Sequence, residues 1–438
     1  MSARKYLTLN PNNVPASGKV SFARGNPIIT ITVGRQDAML DLSSLRLSGK
    51  LNIWRDAAGT LHPAAGAAGN APEAMASQKL GIYGCIDQLV FRHAETKQVL
   101  EHIRSYGRFM SSYLPVMAGT QDQIGHLNES ALIMPNYQAF RDSVVRRVGE
   151  SSFCIPLPSG MTLGGEALPL SSLPLEIEIH LAADSQFFYS SDGVTTNIAN
   201  CFYELNDLAV TCEVEEGVDA PDQGAFSFNS ITSYFSTLES TNSIINYQLG
   251  LSKVLGAFVN FVPSSFVNNL SQDGYLTYMP SLANGDLANL DTVSFLRNGE
   301  RFPLAFEIDS DYNATTNVNT VVDSQVIKTF LSSIIPESIH NRTSISPQNS
   351  NRNFTVNAVA GAAVDAAAGY RLMPEGGAVY GVGVLYDMLD SEGVDFSNAQ
   401  FSIQMVNGLT DSNAVSAYLF IKSKVTVAYN ANGVQVIM

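Results

Sequence analysis

Along most of this chain apolar residues recur at every second position. Ile29, Ile31 and Val33 alternate with Thr30 and Thr32, and Leu45, Leu47, Leu51 and Ile53 alternate with Arg46, Ser48, Lys50 and Asn52. Leu175, Ile177 and Ile179 take one side of a stretch whose other side is Glu176, Glu178 and His180. Within Cys201–Val214, Leu208, Val210, Cys212 and Val214 share a face. The runs Val254–Val262, Ala378–Tyr386, Phe401–Val406 and Ala417–Tyr429 are short, rich in β-branched and aromatic residues, and bounded by Gly, Pro, Asn and Asp. A period of two sends successive side chains to opposite faces of a strand, so the pattern predicts an all-β sandwich or barrel. Leu-Pro and Pro-Leu steps cut into the apolar stretch Phe153–Leu181. Proline cannot donate to a ladder, which puts Pro156, Pro158, Pro169 and Pro174 at the starts, ends and edges of short strands.

Two stretches break the rule of two. Val99, Leu100, Ile103, Tyr106, Met110 and Tyr113 have helical spacing, ended by Pro115. Val326, Ile327, Phe330, Leu331, Ile334 and Ile335 have it too, with Asp323 or Ser324 as cap and Pro336 as stop. These stretches expose a repeat. Gln98-Val99-Leu100 matches Gln325-Val326-Ile327 at a spacing of 227 residues, and Leu175-Glu176-Ile177 matches Phe401-Ser402-Ile403 at 226. Val210-Thr211 matches Val425-Thr426 at 215. Strands, a helix and more strands thus occur twice in one order, which predicts two similar β domains in tandem. The acidic stretch Glu213–Phe226, with its Gly and Pro, is the expected seam. The expected division is an N-terminal arm, 1–17, a first domain, 18–216, and a second, 217–438. Small-residue loops, Ala57–Ala76 and Asn357–Tyr370, sit on this scaffold either as functional loops or as tolerated insertions.

Composition narrows the picture. Of 438 residues, 45% are hydrophobic and only 15% charged, so many surface positions are Asn, Ser, Thr or Gln. That suits a chain that buries much of its outside against neighbours. A net charge of −15 argues against a sheath on nucleic acid, which needs Lys and Arg. The basic cluster at the start, Arg4, Lys5, Lys19 and Arg24, reads as a solvated tail or as a contact with an acidic surface. Cys85, Cys154, Cys201 and Cys212 fit no zinc spacing; the last three lie in apolar runs and read as buried free thiols, which suggests a reducing cytoplasm. The start, MSARKYLTLN, lacks the apolar core of a signal peptide, and no apolar run reaches the ~18 residues of a membrane span.

Candidate chemistry is sparse. The six histidines form no HExxH or His-x-His pair, and neither a GxSxG elbow nor a phosphate loop occurs. No catalytic, cofactor-binding or metal residue is assigned. Glu213, Glu215 and Glu216 read as a solvated turn or an acid/base set, and Asp387 and Asp390 as solvated or cation-binding. The sequons at Asn128, Asn269, Asn313, Asn341 and Asn353 read as ordinary polar loops.

With tandem β domains in view, three stretches carry a resemblance to the double jelly-roll major capsid protein family. ALPLSSLPLEIEI resembles that family's apolar, LPL-containing passage into an alternating strand late in the first jelly roll. Ser243–Pro263 is similar to a strand pair of the second, and Val293–Phe302 resembles a strand ending in an Asn298-Gly299 turn with Arg301 and Phe302 after it. The closing run from Ser416 to Met438 fits as well. The resemblance implies two tandem jelly-roll sandwiches with short helical insertions. It implies a major capsid protein, not an enzyme, that forms pseudo-hexagonal homotrimers tiling an icosahedral shell. The implied partners are further copies, vertex and minor capsid proteins and an internal lipid membrane, with no cofactor and no direct nucleic-acid contact. The implied location is the virion, after synthesis in the host cytoplasm. Arg4 and Lys5 are the candidate membrane-proximal residues. The rivals are a viral spike or glycan-binding tandem sandwich, and a glycosidase needing two carboxylates across a cleft, for which Glu213 and Asp387 would stand.

Overall fold

The computed structural model describes residues 3–55, 74–117, 130–132, 151–275, 290–309, 381–386, 393–407 and 415–437, with breaks of at most five residues, and brief pieces between 312 and 372. Among the described residues sixteen strands form the main paths of its four large sheets, and the short strands Ala167–Pro169, Ile308–Asp309 and Gly433–Ile437 pair at their sides. The first eight are β1 (Ala3–Leu9), β2 (Ile28–Val33), β3 (Ala38–Trp54), β4 (Ile86–His93), β5 (Val99–Arg104), β6 (Ser151–Pro156), β7 (Leu175–Leu181) and β8 (Phe202–Glu216). The second eight are β9 (Gly224–Leu238), β10 (Asn242–Tyr247), β11 (Val254–Pro263), β12 (Leu290–Arg297), β13 (Glu300–Arg301), β14 (Val382–Leu385), β15 (Phe401–Asn407) and β16 (Val415–Asn430). The first half has the sheet orders β1-β8-β3-β6 and β2-β7-β4-β5, and the second has β9-β16-β11-β14 and β10-β15-β12-β13. Adding eight to every strand of the first half yields the second. All of these neighbours pair antiparallel. Two four-stranded sheets face to face, crossed in this order, are a jelly roll, and the chain contains two.

Alternation works as the pattern requires. Ile29, Ile31 and Val33 on β2, and Leu175, Ile177 and Ile179 on β7, are each fully buried, while Thr30, Thr32, Glu178 and His180 between them are half-buried. Pro156 ends the edge strand β6, Pro169 ends the short strand Ala167–Pro169 beside β3, and Pro174 immediately precedes β7. Asn298 and Gly299 take φ of 53° and 85° and close the hairpin of β12 and β13, the left-handed pair that a two-residue turn needs.

Three expectations are corrected. Residues 3–9 are not part of an arm. They form β1 and pair in full register with β8, from Ala3 opposite Glu216 to Leu9 opposite Val210. The alternation there is faint because β1 is an edge strand with only Leu7 and Leu9 packed on the core. The first helix is also shorter than its spacing suggests. Val99–Arg104 is the strand β5, hairpin-paired to β4, and the helix α1 spans Tyr106–Met117, passing Pro115. Lys97 and Ser105, with φ of 60° and 51°, make the turns on either side of β5. Pairing with β4 overrides a spacing that both structures can satisfy. Of the second predicted helix, residues 329 and 332–334 are described, and they are helical. Cys85, Cys201 and Cys212 are buried free thiols, but Cys154 is exposed, because it points outward from the edge strand β6.

The strands β11 and β16 explain the long apolar runs that lack a polar side. Ala257, Val259 and Phe261 of β11, with Leu419 and Ile421 of β16, face the core of the second sandwich. Phe258, Val262, Tyr418 and Phe420, on the opposite face, belong to the core cluster of the first. A strand buried on both faces has no polar side, so its sequence loses the alternation.

Candidate functional site

The sheet β9-β16-β11-β14 is thus shared between the halves, and α1 is the wedge beneath it. Phe109 of α1 packs against Phe258 and Phe420, with ring centroids 6.2 and 5.8 Å away, and those two rings stack at 5.1 Å. The neighbouring Arg108 is 1% exposed. Its guanidinium lies 4.9 Å from the ring centre of Tyr275 and 4.8 Å from that of Tyr418. Both tyrosines come from the second half, so a cation of the first is held between two aromatic faces of the second. Asn260 of β11 donates through Nδ2 to the Arg108 carbonyl at 3.0 Å and accepts from the Ser112 hydroxyl at 2.5 Å. Tyr275 donates its hydroxyl to the Gly84 carbonyl at 2.9 Å. A side chain at Gly107 would begin 2.6 Å from that Tyr275 oxygen, which fixes glycine there.

Glu101 is the other half of the joint. It lies on β5, is 2% exposed, and accepts from the backbone N–H groups of Gly160, Met161 and Ile231 at 3.0, 3.0 and 2.9 Å. Gly160 and Met161 begin the short helix α2 (Gly160–Leu163), and Ile231 lies on β9 of the second sandwich. Burial raises the carboxyl's pKa, against these donors, which lower it. One carboxylate therefore fastens two elements of the first half to a strand of the second. A Cβ at Gly160 would sit 2.1 Å from the Asn229 carbonyl, so the halves approach within backbone distance. Sequence reasoning passed over Glu101, Arg108, Asn260 and Tyr275. Their signal was present: a lone amide in VLGAFVNFV and a lone arginine in SYGRFM are polar residues inside apolar runs.

The outer faces of the sheets are the surfaces left for neighbours. On β2-β7-β4-β5, Glu178 lies 3.2 Å from Arg92 and 2.5 Å from His180, and Lys97 lies 2.5 Å from Glu176. His102 pairs with Gln88 at 2.9 Å. Its pKa is lowered by burial and by Arg104, His180 and Arg92, against the opposite pull of Glu178. On β10-β15-β12-β13 the corresponding face carries Asn246 and Gln404 beside Ser294 and Ser402, which are themselves buried, with the Ser402 hydroxyl donating to Asn246 at 2.7 Å.

The strand pairing brings two of the sequence-predicted sets together. Lys5 lies 2.5 Å from Glu216, Arg4 is directly opposite Glu215, and Tyr6 is opposite Glu213, whose carboxylate raises the pKa of the tyrosine. The acids at the seam and the bases at the start are therefore one ladder of opposite charges across β1 and β8. Lys19 and Arg24 converge on the buried Glu204, at 3.0 and 3.1 Å. Asp387 and Asp390, His62, His126 and His340, and the sequons at Asn128, Asn341 and Asn353 lie outside the described residues. Among the described residues no three His, Cys, Asp or Glu side chains gather as metal ligands, and no helix is long and apolar enough to cross a membrane.

No protein-family model and no curated protein matches the chain. Solved structures do. The PBCV-1 virus capsid, as a quasi-atomic model, aligns over 100% of this chain and 97% of its own with a TM-score of 0.57 at 12% identity. The cryo-EM structure of the Sputnik virophage aligns over 100% and 88%, with a TM-score of 0.56 at 12% identity. The Faustovirus major capsid protein aligns over 98% and 91%, with a TM-score of 0.52 at 9% identity. Likeness at such identities is likeness of fold: the chain is a double jelly roll, matched nearly end to end with the chains of these virus structures.

Proposed function

We propose that this chain is the major capsid protein of an icosahedral virus and that its work is assembly rather than catalysis. The observation that carries this reading is the strand-for-strand doubling of one jelly roll, locked by Glu101 and Arg108 into a single block and matched along its whole length by capsid structures. Three copies of such a block set six sandwiches around one axis, a pseudo-hexagonal capsomer that tiles a curved shell. Large apolar contacts would hold the trimer, and smaller polar ones between trimers would let misplaced units leave. On this reading the first jelly roll ends at 216 and the second begins at 217. The partners are further copies and vertex and minor capsid proteins, and the location is the virion, after synthesis in the host cytoplasm.

Light scattering on a sizing column, with negative-stain images of the peak, tests the proposal. A stable trimer with a six-sided outline is expected. A monomer that persists at high concentration would overturn it and turn attention to glycan binding.

The basic start belongs to the same proposal. Lys5 is 54% exposed despite its ion pair, and it lies on the free edge strand β1, where it can face an acidic lipid surface beneath the shell. Because β1 is a strand, deleting it would damage the fold. The informative variant is the double charge reversal Arg4→Glu, Lys5→Glu, with association to phosphatidylserine vesicles as readout. Association equal to wild type would remove the membrane role.

A further inference from the structure

A pocket of about 230 Å³ opens at the joint between the two sandwiches. Its wall includes Phe109 and Tyr113 of α1, Leu163 of α2, Ile231 of β9, Phe258 of β11 and Ile334. Five of these are buried, and Leu163, 52% exposed, stands where the pocket meets the surface. An apolar cavity of about 150 Å³ already holds a benzene ring, whereas drug-sized ligands need about 300 Å³ or more. The space here fits one ring with a substituent, or a short alkyl chain.

The second observation is polar. Tyr113 is 7% exposed, its ring stacks on Phe109 at 5.2 Å, and among the described residues its hydroxyl has no hydrogen-bond partner. A hydroxyl on a pocket wall that has no partner among the described residues can pair with a polar atom of a ligand.

We propose that this pocket binds a small aromatic or short-chain alkyl compound bearing one hydroxyl or carbonyl group. The apolar body packs among Phe109, Ile231, Phe258 and Ile334, and the polar group meets the Tyr113 hydroxyl. Both halves of the chain supply the wall, so such a ligand binds only the closed joint and stabilises it with the logarithm of its concentration once that exceeds Kd. The inference stands apart from the capsid reading, since it needs only the joint.

The test uses the full chain with p-cresol and toluene as probes, by calorimetric titration and thermal unfolding. Two variants accompany it. Tyr113→Phe removes one oxygen. Gly164→Leu places a side chain in the wall, where a Cβ meets nothing nearer than the Gly160 carbonyl at 3.5 Å. Both probes are expected to raise the unfolding midpoint of the wild type, with p-cresol binding about three- to tenfold tighter than toluene. In Tyr113→Phe that preference disappears, and in Gly164→Leu both probes bind at least about tenfold more weakly. Absence of binding to the wild type at millimolar probe, or a p-cresol preference that survives Tyr113→Phe, would overturn the proposal. The Tyr113→Phe result decides alone if Gly164→Leu fails to fold.

Discussion

Strands β7 and β15 hold the same place in the two sandwiches, and their two faces have diverged unequally. Inward, Ile177 lies between Ile31 and Phe91, and Ile403 lies between Ile245 and Phe295. The row is Ile-Ile-Phe in both halves. Outward, the adjacent rows are Thr30-Glu178-Val90 and Ile244-Gln404-Ser294, then Thr32-Glu176-Arg92 and Asn246-Ser402-Leu296. One outer face is ionic, the other neutral. The fold constrains only the inward row, where volume and shape must fill a closed space. The outward rows answer to whatever lies beyond.

The sharpest way to break this comparison is to part the halves. Glu101→Ala leaves the buried N–H groups of Gly160, Met161 and Ile231 without their acceptor. At about 1–3 kcal/mol for each orphaned donor, offset by relief of a buried carboxylate, the expected loss is about 3–6 kcal/mol. Scanning calorimetry should show a single unfolding transition resolving into two, because the joint fails before either core does. Next come the matched inner residues. Ile177→Ala and Ile403→Ala should each cost about 2–5 kcal/mol in chemical denaturation. Both are fully buried between the same kinds of neighbour, so the two costs should agree within about 1 kcal/mol. A much smaller value for one would mean that its half is packed more loosely.

These inner rows were the part of the fold most legible in the sequence. Ile177 and Ile403 sit at the 226-residue spacing that pointed to a repeat, and they occupy equivalent positions. Legibility failed where one element serves two partners. In β5, Leu100 and Ile103 have a spacing that a helix and a strand both satisfy, and only pairing with β4 decides. In the first half of β16, burial on both faces hides the period of two, although its β-branched and aromatic residues still mark it as a strand. β1 was unreadable because an edge strand buries little. The joint was the least visible feature. Glu101 and Arg108 lie far in sequence from Ile231, Tyr275 and Tyr418, and nothing local announces that a carboxylate will meet three N–H groups or a guanidinium two rings.

On the outer faces the expected effects shrink. Glu178→Gln leaves Arg92 without its counter-charge and weakens the hydrogen bond to His180, with all three side chains at most 31% exposed. A loss of about 1 kcal/mol should follow, together with a weaker salt dependence of stability. The matched change on the neutral face, Gln404→Ala, should stay within about 0.5 kcal/mol and leave the salt dependence alone. Equal effects would show that the ionic network adds nothing to its sheet.

The smallest expected difference is in pH dependence, and it isolates the ionic face most cleanly. Burial, Arg104, His180 and Arg92 lower the pKa of His102 below its ordinary 6.5. Unfolding releases that constraint, so between the two values the unfolded chain binds more protons, and stability rises with pH. The contribution is therefore complete above about pH 6.5 and lost as the pH falls through the lowered value. Asp184 works in the opposite direction. Burial raises its pKa from 3.8 to about 6, so its contribution is present at low pH and lost as the pH rises through about 6. Asp184→Asn keeps a carbonyl acceptor for the Tyr203 N–H, 2.9 Å from the native carboxylate, while removing that titration. In this background the stability lost between pH 7 and 5 should be under about 1 kcal/mol, since His102 is half open to solvent. Adding His102→Gln should flatten the profile in that range. A profile unchanged by the second substitution would mean that the acid sensitivity arises away from the outer face of β2-β7-β4-β5, and that the two faces differ in composition but not in their response to protons.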